Sequence, residues 1–370
     1  MLADAFLHQI DPFVFRITDT FGLRWYGTSY LAGLIVGWLV LRWLAKSGRC
    51  AFPVPQVTDF LFMVFAGVLI GGRVGYCAFY DPSLFLDFTS SLPFWGVFRL
   101  NKGGMASHGG MIGVIIAAIW FCKKNKINPL HGIDMVGFIV PAGLCFGRIA
   151  NFINGELWGR PLADDMQADA PSWSMKFPKA ILDWDKADLP RLADTANTIG
   201  IEPVMWNAMV NTLPDDLAAP DAVITDVDSF RQIRSALNEM VAIAYDPAHA
   251  AHGAVSEALA GALYARYPSP LIQAAAEGPI LALMLVMVWW KPRRAGVITA
   301  WFLMLYGVLR IVTEQFREPD RGISLLFGSI TRGQTLSAAM ILAGAAVLVF
   351  AMKRPPNAFG GLVKKVEPSS

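Results

Sequence analysis

The chain has 370 residues, 55% hydrophobic and only 16% charged, with a mean hydropathy of +0.45 and a net charge of +2. That balance excludes an ordinary soluble globular domain, in which about a quarter of residues are charged. Such a small net charge also gives no basis for holding a polyanion, so no nucleic-acid partner is expected.

At the N-terminus, Met1–Arg24 has no basic segment leading into a cleavable apolar core, so no signal peptide is expected. Phe6, Phe13 and Phe15 among polar residues give it the look of an interfacial amphipathic stretch. Seven apolar runs follow, each long enough to cross a bilayer, for which about 17–25 residues are needed. They lie near Tyr26–Leu44, Val57–Tyr80, Gly104–Cys122, Ile133–Ile153, Leu271–Trp290, Val297–Phe316 and Thr335–Met352. Basic residues cluster after every odd run: Arg42, Lys46 and Arg49; Lys123, Lys124 and Lys126; Lys291, Arg293 and Arg294; and Lys353, Arg354, Lys364 and Lys365. Short loops rich in Lys and Arg stay in the cytoplasm, so the N-terminus is expected outside and the C-terminus inside.

The long connection from Pro161 to Arg266 carries 16 acidic and 7 basic residues, a net of −9, which leaves +11 for the rest of the chain. An acidic insertion on the outer side fits a translocated segment. Within it, Phe230, Ile233, Leu237, Met240, Val241 and Ala244 keep helical spacing behind Asp228 and Ser229, which are read as a cap. The expected architecture is therefore an all-α polytopic membrane protein with seven transmembrane helices. Helices 1–4 occupy residues 1–160, the acidic head insertion 161–266, helices 5–7 residues 267–355, and a cytoplasmic tail 356–370. Cys50, Cys77, Cys122 and Cys145 show no CxxC spacing, and the five histidines show no HExxH spacing. Disulfide stapling and a metal site are accordingly not expected, and no cofactor is implied.

The segment PAGLCFGRIANFINGELWGRP, Pro141 to Pro161, is the most informative. It carries Arg148, Asn151, Asn154, Glu156 and Arg160 to one membrane surface. An Arg that deep costs about 2.5–3.5 kcal/mol on insertion scales, and a bound anion would offset it. The parity of the spans sends Tyr26, Arg73, His108, Arg148, Asn151, Arg310 and Glu314 to the same outer half. Bland readings stand beside the functional one. Arg73 either reaches a site or snorkels to the surface. Arg310 and Glu314, four residues apart, suit an intrahelical ion pair, although Tyr306 shares their face. His108 between glycines is either a packing histidine or a proton exchanger. Tyr26 also suits an aromatic-belt anchor. Arginines suit phosphate, because a planar fork donates two hydrogen bonds and stays charged. The anion most abundant at this depth is a lipid headgroup, which points to an enzyme that handles phospholipid.

GRIANFINGELWGRP at Gly147–Pro161 closely resembles the signature of bacterial phosphatidylglycerol–prolipoprotein diacylglyceryl transferase. GGRVGY at Gly71–Tyr76, GGMASHGGMIG at Gly103–Gly113, YGVLRIVTEQFREPD at Tyr306–Asp320, GQTLS at Gly333–Ser337 and LRWYG at Leu23–Gly27 are similar to the same family. The resemblance covers all seven spans but not the bulk of the insertion. It implies transfer of the diacylglyceryl group of phosphatidylglycerol to the lipobox cysteine of a prolipoprotein signal peptide, without a cofactor, at the periplasmic side of the inner membrane. It assigns His108, Arg148, Asn151, Glu156, Tyr306, Arg310 and Glu314 to the site, with Tyr26 lining it. On physical grounds His108 is the candidate base, Arg148 and Arg310 the phosphate clamp, and Glu314 the support of Arg310. Arg73, Asn154 and Arg160 complete the expected substrate contacts. One departure stands out: the family's usual HPSQLYE reads YPSPLIQ here, Tyr267 to Gln273. An anion or lipid transporter using the same Arg/His cluster is the alternative. It would place polar groups through the full membrane depth, where the sequence offers only Asp59 and Asp134 near the inner ends. A non-catalytic lipid-binding scaffold, the third reading, would have no use for the His–Arg cluster.

Overall fold

The structure is a computed structural model. It describes residues 5–17, 22–90, 92–99, 103–215, 224–318, 331–354 and 358–363. The tail residues Lys364 and Lys365, and Pro319 and Asp320 of the sixth-run motif, lie outside the described residues.

Four long helices come first: α1 Trp25–Lys46, α2 Val54–Phe79, α3 Ser107–Lys124 and α4 Pro129–Ile153. The insertion contributes α5 Ala193–Thr198, α6 Pro203–Asn211, α7 Val227–Ala244 and α8 His252–Ala262. The fifth apolar run is α9 Ser269–Ala275 and α10 Leu281–Val288, joined by a π turn at Ala276–Ile280 that contains Pro279. Proline has no N–H for the helical ladder, and the wider turn absorbs the missing bond. α11 Val297–Glu314 and α12 Arg332–Met352 follow. Among the described residues, six helices are long and apolar enough to cross a membrane: α1, α2, α4, the α9–α10 run, α11 and α12. The chain is thus a multi-span membrane protein. The third expected span, α3, is not among the six, because its 18 residues include Ser107 and His108 at the start and Lys123 and Lys124 at the end, which lowers its hydropathy.

The chain divides into two compact units. One comprises Leu31–Leu144, Glu277–Val308 and Ala338–Ser370. Here α2 packs on α3 through facing glycines. A Cβ on Gly67 would lie 2.6 Å from the Gly113 carbonyl, and one on Gly75 2.7 Å from Gly109 Cα, so only glycine permits this approach. Asp134 of α4 is 2% exposed. Its carboxylate accepts from the backbone N–H of Gly296 (2.6 Å) and Thr299 (2.8 Å) and from Thr299 Oγ1 (2.7 Å). It therefore caps the first turn of α11 from a neighbouring helix, satisfying donors that no intrahelical carbonyl reaches. That finding gives Asp134 a structural task and removes one of the two residues on which a full-depth polar path rested.

The other unit comprises Met1–Tyr30, Cys145–Ala276 and Leu309–Ser337. The insertion is folded: Ile181, Leu192, Trp206, Ile233, Met240 and Leu259 are buried in one cluster. Burial of each such side chain contributes about 1.5–3 kcal/mol. The helix expected at Phe230–Ala244 is present as α7, but its cap is Asp226, which accepts from the Ser229 N–H at 3.0 Å, rather than Asp228. A cap side chain must sit before the first helical residue to reach that N–H, and Asp228 is already inside the helix. The N-terminal stretch forms strands: β1 Phe6–Leu7 pairs parallel with β4 Met175–Lys176, and β2 Phe13–Arg16 pairs antiparallel with β3 Gly22–Arg24. The Phe13/Phe15 spacing has the period of a strand. Phe6 and Phe15 remain exposed, and the guanidinium groups of Arg16 and Arg24 lie 4.6 and 4.5 Å from the Phe13 ring centroid.

Candidate active site

The signature segment begins inside α4 and ends in a tight turn. The Gly155 N–H donates to Phe152 O and the Glu156 N–H to Asn151 O, both at 2.9 Å. This is a Schellman closure, and it requires a left-handed residue after the cap. Gly155 fills that position with φ 61°. Leu157 is also left-handed, at φ 54°, a conformation that costs a non-glycine residue about 1–2 kcal/mol. The turn therefore needs outside support. Asn151 is 7% exposed, and its Oδ1 accepts from the Tyr26 hydroxyl at 2.6 Å. Arg148 and Glu156 lie near enough to Tyr26 for their charges to act on it. Glu156 itself is exposed. Partial desolvation raises its pKa, against the opposing pull of Lys179. Asn154 is buried, and its backbone carbonyl accepts from Lys179 Nζ at 2.5 Å.

The end of α11 carries the second group. Arg310 Nη1 lies 2.8 Å from Glu314 Oε2, one helical turn on, with the side chains 11% and 7% exposed. The distance makes an ion pair, but the approach is off-line for a hydrogen bond, and both atoms lack a hydrogen-bond partner among the described residues. Glu314 Oε1 accepts from Thr331 Oγ1 at 3.3 Å. Thr331 and Gln334 form a reciprocal capping box at the start of α12, with Gln334 N–H donating to Thr331 Oγ1 and Thr331 N–H to Gln334 Oε1, both at 3.1 Å. A Cβ on Gly333 would stand 2.9 Å from Glu314 Oε1, so glycine there lets the carboxylate approach the helix end.

Short backbone bridges tie the segments after α4 and α11 together. Gly159 bridges Arg317, and Pro161 and Met175 both bridge Arg266. Arg266 is 6% exposed and donates through Nη1 to Gly159 O (3.0 Å) and Glu318 Oε2 (2.6 Å). Arg160 is exposed, with its Nε–H donating to Arg317 O at 3.0 Å, so its evident task is to fasten these two segments. In the divergent YPSPLIQ segment, Tyr267 lies edge-on to Phe316 and stacks on Trp173. Gln273 is fully buried and donates to Ser269 Oγ at 3.1 Å.

Arg73, His108 and Tyr306 belong to the other unit. The expectation that Arg73 binds substrate needs correction. Its Nε–H donates to Val97 O (2.6 Å), Nη1 to Gly103 O and Gly104 O (2.8 and 2.9 Å), and Nη2 to Gly96 O and Arg99 O (2.9 and 3.4 Å). Five carbonyls meet the five donors of a guanidinium, leaving none for a phosphate. Arg73 is a buried clamp on the connection between α2 and α3, neither snorkelling nor free. His108 is exposed in the first turn of α3, which disposes of the packing-histidine reading. Tyr306 stacks on Phe302, with centroids 5.8 Å apart. Among the described residues no group of three or more His, Cys, Asp or Glu side chains could hold a metal ion.

Sequence reasoning missed Lys179, Arg266 and the pair His8–Tyr245. His8 is fully buried, stacks on Phe177, and its Nδ1 lies 2.9 Å from the Tyr245 hydroxyl. Burial pushes the His8 pKa down to about 4. A Cβ on Gly155 would meet Tyr245 Oη at 2.7 Å and His8 Nδ1 at 3.1 Å, so this pair packs directly under the signature turn.

Comparison with known proteins agrees with the motif reading. The profile of a family described as prolipoprotein diacylglyceryl transferase matches residues 12–350. A protein of Bdellovibrio bacteriovorus named phosphatidylglycerol–prolipoprotein diacylglyceryl transferase is 40% identical over 346 residues, 93% of each chain. Proteins of the same name from Yersinia pestis and Yersinia pseudotuberculosis are 33% identical over 348 residues, 94% of this chain and 95% of theirs. Their span includes the insertion as well as the membrane helices. The chain therefore belongs to the prolipoprotein diacylglyceryl transferase family.

Proposed function

We propose that this chain transfers the diacylglyceryl group of phosphatidylglycerol to the lipobox cysteine thiol of a prolipoprotein signal peptide, the first step of lipoprotein maturation. The sulfur forms a bond to the glycerol carbon, the bond from that carbon to the phosphate oxygen breaks, and glycerol phosphate leaves with the electron pair. The thiol proton passes to a base. The observation that carries this reading is the Arg310–Glu314 pair in a chain of this family: a buried guanidinium balanced in charge but with Nη1 not engaged in a hydrogen bond. Such a group suits a phosphate that gains charge as it leaves.

The remaining roles follow from chemistry. The thiol, with an ordinary pKa near 8.5, attacks as thiolate. His108, exposed at the start of α3, takes its proton. Arg148 is the second cation of the clamp. Tyr26, Asn151, Asn154, Glu156 and Tyr306 contact the glycerol and headgroup, with Asn151 oriented by Tyr26. The site faces the periplasm and the basic connections face the cytosol, by the distribution of Lys and Arg. α3 makes the seventh crossing. Its 18 residues extend about 27 Å, close to the hydrocarbon thickness of a bilayer.

The test uses the full chain in nanodiscs with phosphatidylglycerol labelled in its diacylglyceryl group and a lipobox peptide. Label is expected on the peptide thiol, with one glycerol phosphate released per transfer. An unlabelled peptide, or label moved across a vesicle bilayer without transfer, sinks the reading. In the same assay His108→Gln is expected to lower the rate about 100-fold. Full rate in that variant assigns thiol ionisation to the arginines instead.

A further inference from the structure

We infer that Lys179, contributed by the insertion, is a positioning residue of the transfer site, and that the insertion is therefore part of the working enzyme. The inference rests on the transfer reaction proposed above. It starts from a turn that cannot hold itself. Residues 154–157 contain two left-handed positions, one of them Leu157, and such strain persists only where surrounding structure over-determines it. Lys179 supplies that support from 25 residues downstream. Its ammonium donates to the Asn154 carbonyl at 2.5 Å. The same charge acts on Glu156, two residues beyond that carbonyl, and Glu156 acts back on Lys179.

The local geometry explains why Lys179 stays in place. Its ammonium lies 5.4 Å from the centroid of the Tyr245 ring, which is itself held by His8. Pro178 and Ala180 on either side of it are buried, so the backbone at Lys179 is anchored in the head. Lysine can thus direct its charge at one spot with little freedom to withdraw. Lys179 acts on Glu156 directly, Glu156 and Arg148 of α4 both act on Tyr26 of α1, and Arg24 of β3 acts on Lys179. Within this set Lys179 is the group that both touches the turn and pulls the Glu156 pKa down. It opposes the desolvation that raises the Glu156 pKa, while its bond to the Asn154 carbonyl holds the strained backbone beneath.

The test compares Lys179→Met, Lys179→Arg and Glu156→Gln in the full-length enzyme, with rates measured against pH. Lys179→Met is expected to lower kcat about 10- to 100-fold while KM for phosphatidylglycerol changes less than about threefold. Removing the ammonium lets the Glu156 pKa rise, so the acid limb of the rate profile moves to higher pH. Lys179→Arg keeps the charge and restores most of the rate. The double variant Glu156→Gln/Lys179→Met is expected within about twofold of Glu156→Gln alone, because the two residues act as one unit. A structural role alone lowers the amount of folded enzyme but leaves the acid limb where it is. An unmoved acid limb with additive rate losses overturns the inference. Should Lys179→Met not fold, the same profile is read on Lys179→Gln. Failure of the unmodified chain to transfer anything is a different result, which overturns the reaction assignment and this inference with it.

Discussion

Two buried arginines, Arg73 near the end of α2 and Arg310 near the end of α11, look alike in a hydropathy plot and differ in every contact. Arg73 gives its five N–H groups to five backbone carbonyls of residues 96–104. Arg310 has one carboxylate at 2.8 Å, set off-line. The first is saturated and has become part of the scaffold. The second has its charge compensated and its donors in hand. Depth in an apolar helix alone does not distinguish a saturated arginine from one whose hydrogen bonds are left to be made.

That contrast can be broken by experiment. Arg310→Ala is expected to cost about 100- to 1,000-fold in transfer rate, the loss seen when one donor to a developing oxyanion is removed, with folding intact. Arg73→Ala is expected to behave oppositely. It strips five carbonyls of their donor and lowers stability by about 3 kcal/mol or more, read as thermal unfolding in detergent, while the folded remainder keeps its rate. If the two variants exchange behaviours, the assignment of scaffold and site is reversed.

A second contrast lies between the buried His8 and the exposed His108. His8 has its pKa held down to about 4 by burial, so the unfolded chain, with His8 near 6.5, binds a proton the folded state refuses. Its contribution is complete above about pH 6.5 and is lost as pH falls toward 4, on the order of 2–3 kcal/mol by pH 4.5. Denaturant titrations of the full chain in detergent at pH 7 and pH 4.5 measure this, and His8→Phe should flatten the dependence. A smaller effect is expected at Gly333. Gly333→Ala pushes the Glu314 carboxylate off the start of α12, and a loss of about tenfold in transfer with unchanged stability fits a misplaced Arg310 partner. Unchanged transfer would show that Glu314 need not sit where it does.

The membrane helices were legible because each is a long apolar run closed by polar residues. The bounds read for α1, α2, α4 and α11 lie within a few residues of those observed. The Arg310–Glu314 pair was legible too, since helical geometry puts residues four apart on one face. Other contacts had no local signature. His8 meets Tyr245 across 237 residues, and Arg266 meets Glu318 across 52. The fate of Arg73 was hidden for a different reason: its partners are backbone carbonyls, and any residue can present one. The Thr331–Gln334 capping box is written openly as TRGQ, overlapping the GQTLS motif.

The glycine-lined approach of α2 to α3 bears on how the protein is made. A helix that carries Ser107 and His108 in its first turn and ends on two lysines gains little from lipid on its own. Pressed against Gly67, Gly71 and Gly75, it meets α2 backbone to backbone, and an apolar groove lined by Ile70, Val74, Ile112 and Ile116 runs along the seam. On this geometry α2, more apolar and synthesised just before it, supplies the surface on which α3 is seated.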